Sequence, residues 1–292
     1  MPETRLLLKN AEDPALRTLA GYKGYGGYAT LEKAYRELEA DEVLKELEES
    51  GLRGRGGAGF SMGKKASFLP RGGGVNKYLC CNADESEPGA FKDRELMQRN
   101  PHQLIEGIAI ASLAAGIGHA FIFIRGEYDS QADILDAAVA EAYEAGYLGK
   151  DILGTRRDLE LVVHRGAGAY ICGEETALLD ALEGKRGNPR LKPPFPAVQG
   201  LYGGPTLINN VETLSNVPHI VRHGAEWFKG FGTEQSPGTK VVSISGGVRR
   251  PGNYEVELGI PTRELIYGLA GGPEEGHEIK AFFPGGSSSP VL

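Results

Sequence analysis

Residues 77–89 read KYLCCNADESEPG, and this stretch decides the fold. Its first six residues form a short apolar run, which predicts a β-strand, and three carboxylates follow directly. Two later runs repeat the arrangement: HAFIFIR (residues 119–125) precedes Gly-Glu-Tyr, and DLELVVH (residues 158–164) precedes RGAGAY. The chain therefore predicts three strands, each followed by a polar or glycine-rich turn.

Helical patterns separate and precede these strands. Residues 101–115, 130–145 and about 173–182 have helical character, and 31–50 predict one or two amphipathic helices that end at Gly51. Strands that alternate with helices of this length form βαβ units and a parallel sheet. We therefore predict an α/β fold.

The turns after the three strands indicate a binding site. Open α/β sheets bind ligands in the crevice outside the carboxyl ends of their strands. The glycines, carboxylates and tyrosines at 82–89, 125–128 and 165–170 all fall at that edge. We expect them to form one common rim.

The alternation of strands and helices ends after residue 182. Residues 183–218 predict a Pro/Gly-rich loop and then a helix that starts at Asn209–Asn210. The elements predicted beyond residue 238 are two strands, a helix and a third strand, at 240–245, 252–258, 262–269 and 279–283. This order is typical of a small β-grasp-type module, so we predict two domains, at 1–235 and 238–292.

Composition narrows the functional classes. The net charge of −7 offers no basic field for nucleic acid. The three cysteines, two of them adjacent, make no disulfide framework and no Cys-x-x-Cys, so we expect a reducing compartment and no metal ligands in these residues. No stretch approaches the roughly 18–20 apolar residues of a membrane span. We expect a soluble, cytoplasmic chain without direct membrane insertion.

A glycine-rich loop follows Gly51. Residues 54–59, GRGGAG, satisfy the dinucleotide pattern G-x-G-x-x-G, but a helix precedes them where a strand is usual. The spacing of the following lysines does not fit a Walker A loop, which disfavours a nucleotide hydrolase. The loop is either a flexible linker or a cradle of N–H groups for a phosphate. The side chains available for charge or ring stacking are Arg53, Arg55, Lys64, Lys65, Phe60 and Phe68.

Three further clusters each have a structural and a functional interpretation. Asp84, Glu85 and Glu87 form either a solvated loop or acceptors for ribose hydroxyls and a nicotinamide amide. Glu174 and Glu175 either complement a helix dipole or face a ligand, and Tyr170 beside them either packs or stacks. The stiff segment 189–196 is either a polyproline ligand or spacer, or a support that presents Lys192 and Phe195 to an adenine or diphosphate. His219 and His223 lack the glutamate of a zinc motif, and we predict no metal there.

Taken together, the motifs resemble a known family. The segments GLRGRGGAGF, CNADESEPGAFKDRE, RGAGAYICGEETALLDALEGKRGNPRLKPPFP and INNVETLSNV, in this order, are similar to the 51-kDa flavoprotein subunit of respiratory complex I, the NADH–quinone oxidoreductases. The same module occurs in NAD-linked hydrogenases and formate dehydrogenases. The resemblance implies a Rossmann-like FMN-binding domain followed by an incomplete ubiquitin-like SLBB domain of the β-grasp type.

The resemblance also implies site residues. FMN contacts would be Gly54, Gly56, Gly57, Lys65, Asn82, Asp84, Glu85, Tyr170, Gly173, Glu174, Asn209 and Asn210. Arg55, Ala58, Gly59 and Lys64 complete the expected cofactor-binding residues. NADH contacts would be Phe60, Phe68, Glu87, Tyr170, Glu175, Lys192 and Phe195. Glu87, Glu175 and Tyr170 are the expected catalytic residues, although none need act as acid or base, because the nicotinamide gives a hydride to the flavin. We expect the charge of Glu87 and Glu175 to favour the cationic NAD⁺ over NADH.

The implied activity is NADH oxidation, with electrons passed through iron–sulfur clusters towards quinone. The implied partners are the 24-kDa [2Fe–2S] subunit and the large iron–sulfur subunit of the peripheral arm, at the cytoplasmic face of the membrane. The family's [4Fe–4S] domain does not appear in these residues, so we expect a fragment. Ser61, Met62 and Ala66 replace the family's Pro-Thr and Trp, which predicts a missing aromatic wall. The alternatives are a hydrogenase or formate dehydrogenase diaphorase and a flavin-binding scaffold without turnover.

Overall fold

A four-stranded parallel sheet forms the centre of the molecule. The computed structural model describes residues 3–72 and 74–292. The strands are β1 (Tyr78–Ala83), β2 (His119–Ile124), β3 (Glu160–Arg165) and β4 (Thr206–Asn210). Their spatial order is β3-β2-β1-β4, and all three neighbouring pairs are parallel. The predicted α/β fold is confirmed.

Helices cover both faces of this sheet. They are α1 (Leu19–Gly24), α2 (Ala29–Glu37), α3 (Ala40–Glu49), α4 (Met62–Ser67), α5 (Lys92–Arg99), α6 (Pro101–Ala115), α7 (Asp129–Glu144), α8 (Glu175–Leu182), α9 (Val211–Ser215), α10 (Val217–His223) and α11 (Ala225–Lys229). Short 3-10 turns lie at Pro14–Arg17, Ile152–Gly154, Tyr170–Gly173 and Leu201–Gly203. Within the described ranges, no helix combines the length and apolarity that crossing a membrane requires.

The two adjacent cysteines of β1 show how the layers are arranged. Successive side chains of a strand point to opposite faces. Cys80 packs in a buried cluster with Leu178 and Leu179 of α8. Cys81 belongs to the larger core cluster on the other face. Because both faces of β1 are covered, the strand is apolar along almost its whole length.

Helix α6 occupies the middle of the larger core, and all of its residues are buried. Pro101 stands in its first turn, and the side chain of Asn100 accepts a hydrogen bond from the Gln103 amide. Gly116 ends the helix in the left-handed conformation (φ 65°). These start and stop signals explain why the predicted bounds, 101–115, are confirmed.

The segment before residue 211 differs from the prediction. A loop and then a helix start were expected at Asn209–Asn210, but residues 206–210 form β4 beside β1. The helix begins one residue later, at Val211, and the Asn210 side chain caps it by accepting from the Glu212 amide at 3.0 Å. A five-residue strand after a Pro/Gly-rich loop has too few residues to show a strand pattern of its own.

The C-terminal module contains an antiparallel hairpin. Strands β5 (Gly232–Thr233) and β6 (Ser236–Pro237) form a small ladder before it. The hairpin pairs β7 (Thr239–Ile244) with β8 (Gly252–Glu257), as predicted, and a π-helix follows at Glu264–Leu269. The predicted third strand is wrong: residues 279–283 are irregular. Only a backbone pair between Phe282 and Leu292, with two hydrogen bonds of 2.9 Å, forms there.

A buried glutamate joins the two ends of the chain. The carboxylate of Glu255 in β8 is fully buried and accepts hydrogen bonds from the amides of Leu6, Leu7 and Leu8 at 2.9–3.0 Å. The hydroxyl of Thr239 also donates to it, at 2.6 Å. Burial raises the pKa of Glu255 to about 7. The C-terminal module is therefore fastened to the N-terminal segment.

Candidate functional site

The turns that follow β1, β2 and β3 lie together at one edge of the sheet. The guanidinium of Arg125, after β2, donates to the backbone oxygen of Glu85, after β1, at 2.9 Å. The hydroxyl of Tyr170, after β3, donates to the carboxylate of Glu87 at 2.6 Å. These two hydrogen bonds connect all three turns, so the common rim expected from the sequence exists.

Asp84 places a buried, incompletely bonded carboxylate at this rim. One oxygen accepts from the Ser86 hydroxyl at 3.0 Å. The other, Oδ2, is buried and has no hydrogen-bond partner among the described residues. Burial raises the pKa of Asp84 to about 6. Gly173 lies opposite, where a Cβ would stand 3.5 Å from Oδ2, and its carbonyl accepts from the Asn82 side chain at 2.9 Å.

Asn209 supplies a matching donor on the neighbouring strand. It is paired in register with Cys81, one residue before Asn82. Its Nδ2 atom is buried, and nothing in the described part of the chain accepts from it. Buried polar atoms without partners are rare in folded proteins, because each costs about 1–3 kcal/mol. An acceptor and a donor without partners, at adjacent strand ends, are available to a ligand that binds at this edge.

Glu85 does not face the rim. One of its carboxylate oxygens accepts from the Asp93 amide at 2.9 Å. The other accepts from the Arg94 amide at 3.0 Å and from the Tyr128 hydroxyl at 3.1 Å. Glu85 is therefore turned towards the start of α5, where it satisfies helix N–H groups. The expected flavin contact of its side chain is not supported by this placement.

Arg55 likewise has a structural role. Its side chain was expected to add positive charge near a phosphate, but the residue is only 3% exposed. The guanidinium donates to the backbone oxygens of Thr239 (3.0 Å), Pro237 (2.9 Å) and Arg53 (3.0 Å). It joins the glycine-rich loop to the start of the hairpin instead of pointing at a ligand.

The glycine-rich loop closes on itself above the end of β4. The amide of Gly54 donates to the carbonyl of Phe60 at 2.8 Å. Gly56 approaches Asn210 so closely that a Cβ on it would lie 3.0 Å from that side chain. The tip consists of Gly57, Ala58 and Gly59. The loop backbone therefore reaches the same rim as the three strand turns.

Asn210 is less free than Asn209. Its Nδ2 donates to Asp93 at 2.6 Å, and its Oδ1 caps α9. It holds the loop and two helices in place, so any ligand contact of this side chain would compete with these bonds.

Two lysines and two glutamates form an ionic cluster at the start of α8. Glu175 pairs with Lys65 at 2.9 Å and with Lys192 at 2.7 Å. Glu174 pairs with Lys192 at 3.1 Å, and its other oxygen accepts from the first amides of α8. Burial alone would raise the pKa of Glu175, but the two ammonium groups outweigh it and the pKa is lowered. Glu174 is thus a helix cap, whereas Glu175 carries a neutralised charge beside the cleft.

Aromatic side chains lie on the outside of the loop. The rings of Phe60 and Phe68 have centroids 6.2 Å apart, and both are about half exposed. Ala66 and Met62 are buried in the larger core cluster, and the missing aromatic wall at residue 66 stays a prediction. The predicted site residues that are solvent-exposed are Gly56, Gly57, Ala58, Phe60, Lys64, Phe68, Tyr170, Lys192 and Phe195.

Arg190 was not singled out from the sequence. Its amide donates to the Thr176 hydroxyl at 2.7 Å, and its guanidinium donates to Asp180 at 2.8 Å. These bonds dock the Pro-rich segment on α8 and so bring Lys192 to the two glutamates. An arginine in the same stiff segment, two residues before Lys192, is the sequence feature that could have indicated this docking role.

Comparison with known proteins identifies the family. A family model described as "Nuo51 FMN-binding domain" matches residues 47–219, more than half of the chain. The chain belongs to the Nuo51 FMN-binding family. An SLBB domain matches residues 241–292, which include most of the hairpin and the segment after it.

Relatives and solved structures extend over nearly the whole chain. It is 56% identical to an NADH-quinone oxidoreductase subunit of Rhizobium meliloti (strain 1021), over 98% of this chain and 68% of that protein. It is 48% identical to the corresponding NADH-quinone oxidoreductase subunit of Escherichia coli (strain K12), over 100% of this chain and 66% of that one. A crystal structure of NAD⁺-reducing [NiFe]-hydrogenase in the H₂-reduced state superposes with a TM-score of 0.80 at 38% identity, covering 93% of this chain and 44% of that chain. The chain spans about two thirds of the length of these curated relatives.

The residues at the rim fit the flavin that the Nuo51 family binds. An isoalloxazine ring carries both hydrogen-bond donors and acceptors along its edge, and Asp84 Oδ2 and Asn209 Nδ2 are a buried acceptor and a buried donor that lack partners. Gly56 and Gly173 keep the backbone close without side chains in the way. FMN is thus compatible with the donor set and the space of this chain.

Proposed function

We propose that this chain oxidises NADH with bound FMN as the hydride acceptor, as part of a complex that delivers electrons to quinone. The observation that carries the proposal is the pair of orphaned buried atoms, Asp84 Oδ2 and Asn209 Nδ2, at adjacent strand ends of a Nuo51-family sheet. FMN, when bound, would provide the ability to take up a hydride and to give up its electrons one at a time.

The flavin-binding residues we propose are those that the structure leaves available. The ring edge contacts Asp84 and Asn209, and the Asn82–Gly173 pair supports it. The glycine-rich loop, residues 54–59, offers backbone N–H groups to the phosphate, because close backbone approach is what glycines permit. Lys64 and Lys65 supply positive charge nearby.

The dinucleotide is proposed to lie on the outer side of the flavin. Phe60, Phe68 and Phe195 are exposed rings without full packing partners, suited to stack on an adenine. Lys192 meets the diphosphate. Glu87, close to Tyr170, places negative charge next to the nicotinamide, where it favours the cationic product. Glu175 lies nearby with its charge balanced by Lys65 and Lys192.

The partners are proposed from the resemblance of the sequence motifs to the complex I flavoprotein subunit, together with the relatives' names. These relatives are subunits of NADH-quinone oxidoreductase, which is therefore a multi-subunit enzyme, and the chain itself has no Cys-x-x-Cys for a cluster. We therefore assign the one-electron acceptors to a [4Fe–4S] centre outside residues 1–292, the 24-kDa [2Fe–2S] subunit and the large iron–sulfur subunit. The proposed location is the cytoplasmic face of the membrane, through these partners.

Reconstitution tests the proposal directly. The purified protein is incubated with FMN, desalted, and mixed with NADH without oxygen. We expect a yellow protein whose flavin absorbance NADH bleaches, and an Asp84→Ala variant that retains less FMN. A yellow protein that NADH does not bleach would leave only a flavin-binding scaffold, and a colourless protein would exclude any flavin role.

A diaphorase of an NAD-linked hydrogenase is the second candidate. The structural match to NAD⁺-reducing [NiFe]-hydrogenase favours it. Subunits that co-purify with the tagged protein from its own cells distinguish the two: hydrogenase subunits indicate the diaphorase, and membrane-arm subunits indicate the quinone-linked enzyme.

A further inference from the structure

The C-terminal segment 284–290, PGGSSSP, reaches back to Glu87. The amide of Ser288 donates to Glu87 Oε1 at 2.8 Å, and its hydroxyl donates to Oε2 at 2.8 Å. The Ser287 hydroxyl adds a longer bond of 3.4 Å. With Tyr170 on Oε2 at 2.6 Å, both oxygens of this carboxylate are held from two directions.

Gly286 makes this approach possible. Its φ of 88° lies in the left-handed region, and a Cβ there would fall well inside van der Waals distance of Glu87 Cγ and Oε1. The turn is braced by Ser289, whose hydroxyl accepts from the Gly285 amide at 3.1 Å and donates to the Gly286 carbonyl at 2.8 Å. The segment is therefore shaped to meet Glu87.

This contact is a poor anchor for the C-terminal module. Its hydrogen bonds are exposed, and exposed polar pairs contribute little to stability. The module is fastened elsewhere, by the buried carboxylate of Glu255 and the buried guanidinium of Arg55. The contact at Glu87 changes the direction of one carboxylate much more than it changes the stability of the fold.

We propose that Ser288 is a positioning residue of the dinucleotide site, which fixes the Glu87 carboxylate beside the nicotinamide. Gly286 allows the close approach that this contact needs. The inference rests on the proposed function. Without the segment, Tyr170 holds only Oε2, and the glutamate is free to turn among its side-chain rotamers. With it, the charge stays in one place, which is what discrimination between a cationic and a neutral ring requires. The C-terminal module thereby contributes to a site built mainly by the sheet.

The test uses the FMN-loaded protein and titrations with NAD⁺ and NADH. Gly286→Ala expels the segment from Glu87, and Gly276→Ala is the matched control, because Gly276 has a similar φ of 81° and no atom within 4 Å of a Cβ. We expect Gly286→Ala to lower the preference for NAD⁺ over NADH by about three- to tenfold, the net size of one ordinary hydrogen bond, and Gly276→Ala to leave the preference unchanged. Ser288→Ala should have a smaller effect in the same direction, and Ser288→Thr should restore it.

Two further arms separate positioning from general damage. In a Glu87→Gln background, Gly286→Ala should cause no additional change in the preference, because its target is gone. Hydrogen exchange at the Ser288 amide should accelerate in Glu87→Gln. An unchanged preference in Gly286→Ala, with normal dinucleotide binding, overturns this inference alone. A wild-type protein that takes up FMN but binds neither dinucleotide overturns the proposed function as well.

Discussion

The hydroxyl of Tyr170 donates a hydrogen bond of 2.6 Å to the carboxylate of Glu87, although the two residues are 83 positions apart. The bond joins the turn after β3 to the turn after β1. It is the largest of the causes that lower the pKa of Glu87, followed by the bond from the Ser288 amide. The charge that we assign to the nicotinamide site therefore depends on a tyrosine from another strand.

Replacing Tyr170 by Phe should shift the pH dependence of NAD⁺ binding. A lowered pKa keeps Glu87 charged to lower pH, and the charge is lost as the pH falls through that pKa. Without the hydroxyl the pKa rises, so the acidic limb of NAD⁺ affinity should move to higher pH while affinity above neutrality changes little. Titrations of the FMN-loaded protein across the acidic range measure this, and an unmoved limb would show that Glu87 does not contact the ligand.

Lys192→Met should weaken binding of both dinucleotides by about tenfold, since a lost contact between an ammonium and a diphosphate costs roughly 1.5–3 kcal/mol before solvent screening. Lys45→Met is the control, because Lys45 lies exposed on α3 and, among the described residues, its one ion pair is with Glu49 at 3.7 Å. Fluorescence titration at two salt concentrations gives the affinities. Equal affinity in both variants would mean that Lys192 serves only to neutralise Glu174 and Glu175.

Asp84→Asn should stabilise the cofactor-free protein and weaken FMN binding. The pKa of Asp84 is raised to about 6, so the favourable protonated state is lost as the pH rises from about 4 to 6, and the buried charge then costs roughly 2–3 kcal/mol. Asparagine removes that cost above pH 6. Thermal unfolding at pH 5 and pH 8, with and without FMN, should show a higher Tm without FMN at pH 8 and a smaller increase on adding it. A variant that is destabilised in both forms would contradict the assignment.

Glu255→Gln should flatten the pH dependence of unfolding. Because burial raises the pKa of Glu255 to about 7, the folded state binds its proton more tightly than the unfolded chain does. The free energy of unfolding of the wild type should therefore fall by up to about 3 kcal/mol between pH 4.5 and pH 7, and level off above it. The neutral amide lacks this slope but fits the three amide donors less well, so the variant should be the less stable one at pH 4.5. Urea unfolding at several pH values tests both parts, and equal slopes would refute them.

The sequence predicts the elements whose signals are local. Strands β1 to β3 each contain a short apolar run, and α6 has a proline at its start and a glycine at its end. The β4 strand has no such signal, because its five residues directly precede a helix. The third strand predicted at 279–283 has an apolar run but does not form. Within the described residues, its backbone pairing is limited to the two bonds between Phe282 and Leu292.

The sequence predicts which segments form the site, but it does not predict in which direction their side chains point. The rim follows from parallel strands, whose carboxyl ends must share an edge. Glu85 points towards α5 and Arg55 points towards the hairpin because each bonds to backbone groups that need partners there. Packing between distant segments decides which backbone groups these are. The contact between Glu87 and Ser288 spans 201 positions and leaves no local pattern.

The contacts of Arg55 limit where the chain can be cut into separate domains. Its guanidinium lies between the glycine-rich loop and the carbonyls of Pro237 and Thr239, on both sides of the predicted boundary near residue 238. A chain cut at that boundary would leave a buried cation with the Arg53 carbonyl as its one remaining acceptor of these three, directly beneath the glycine-rich loop. Isolated expression of residues 1–235 should therefore disorder the loop itself, and a failure of such a piece to take up flavin would say nothing about the intact protein.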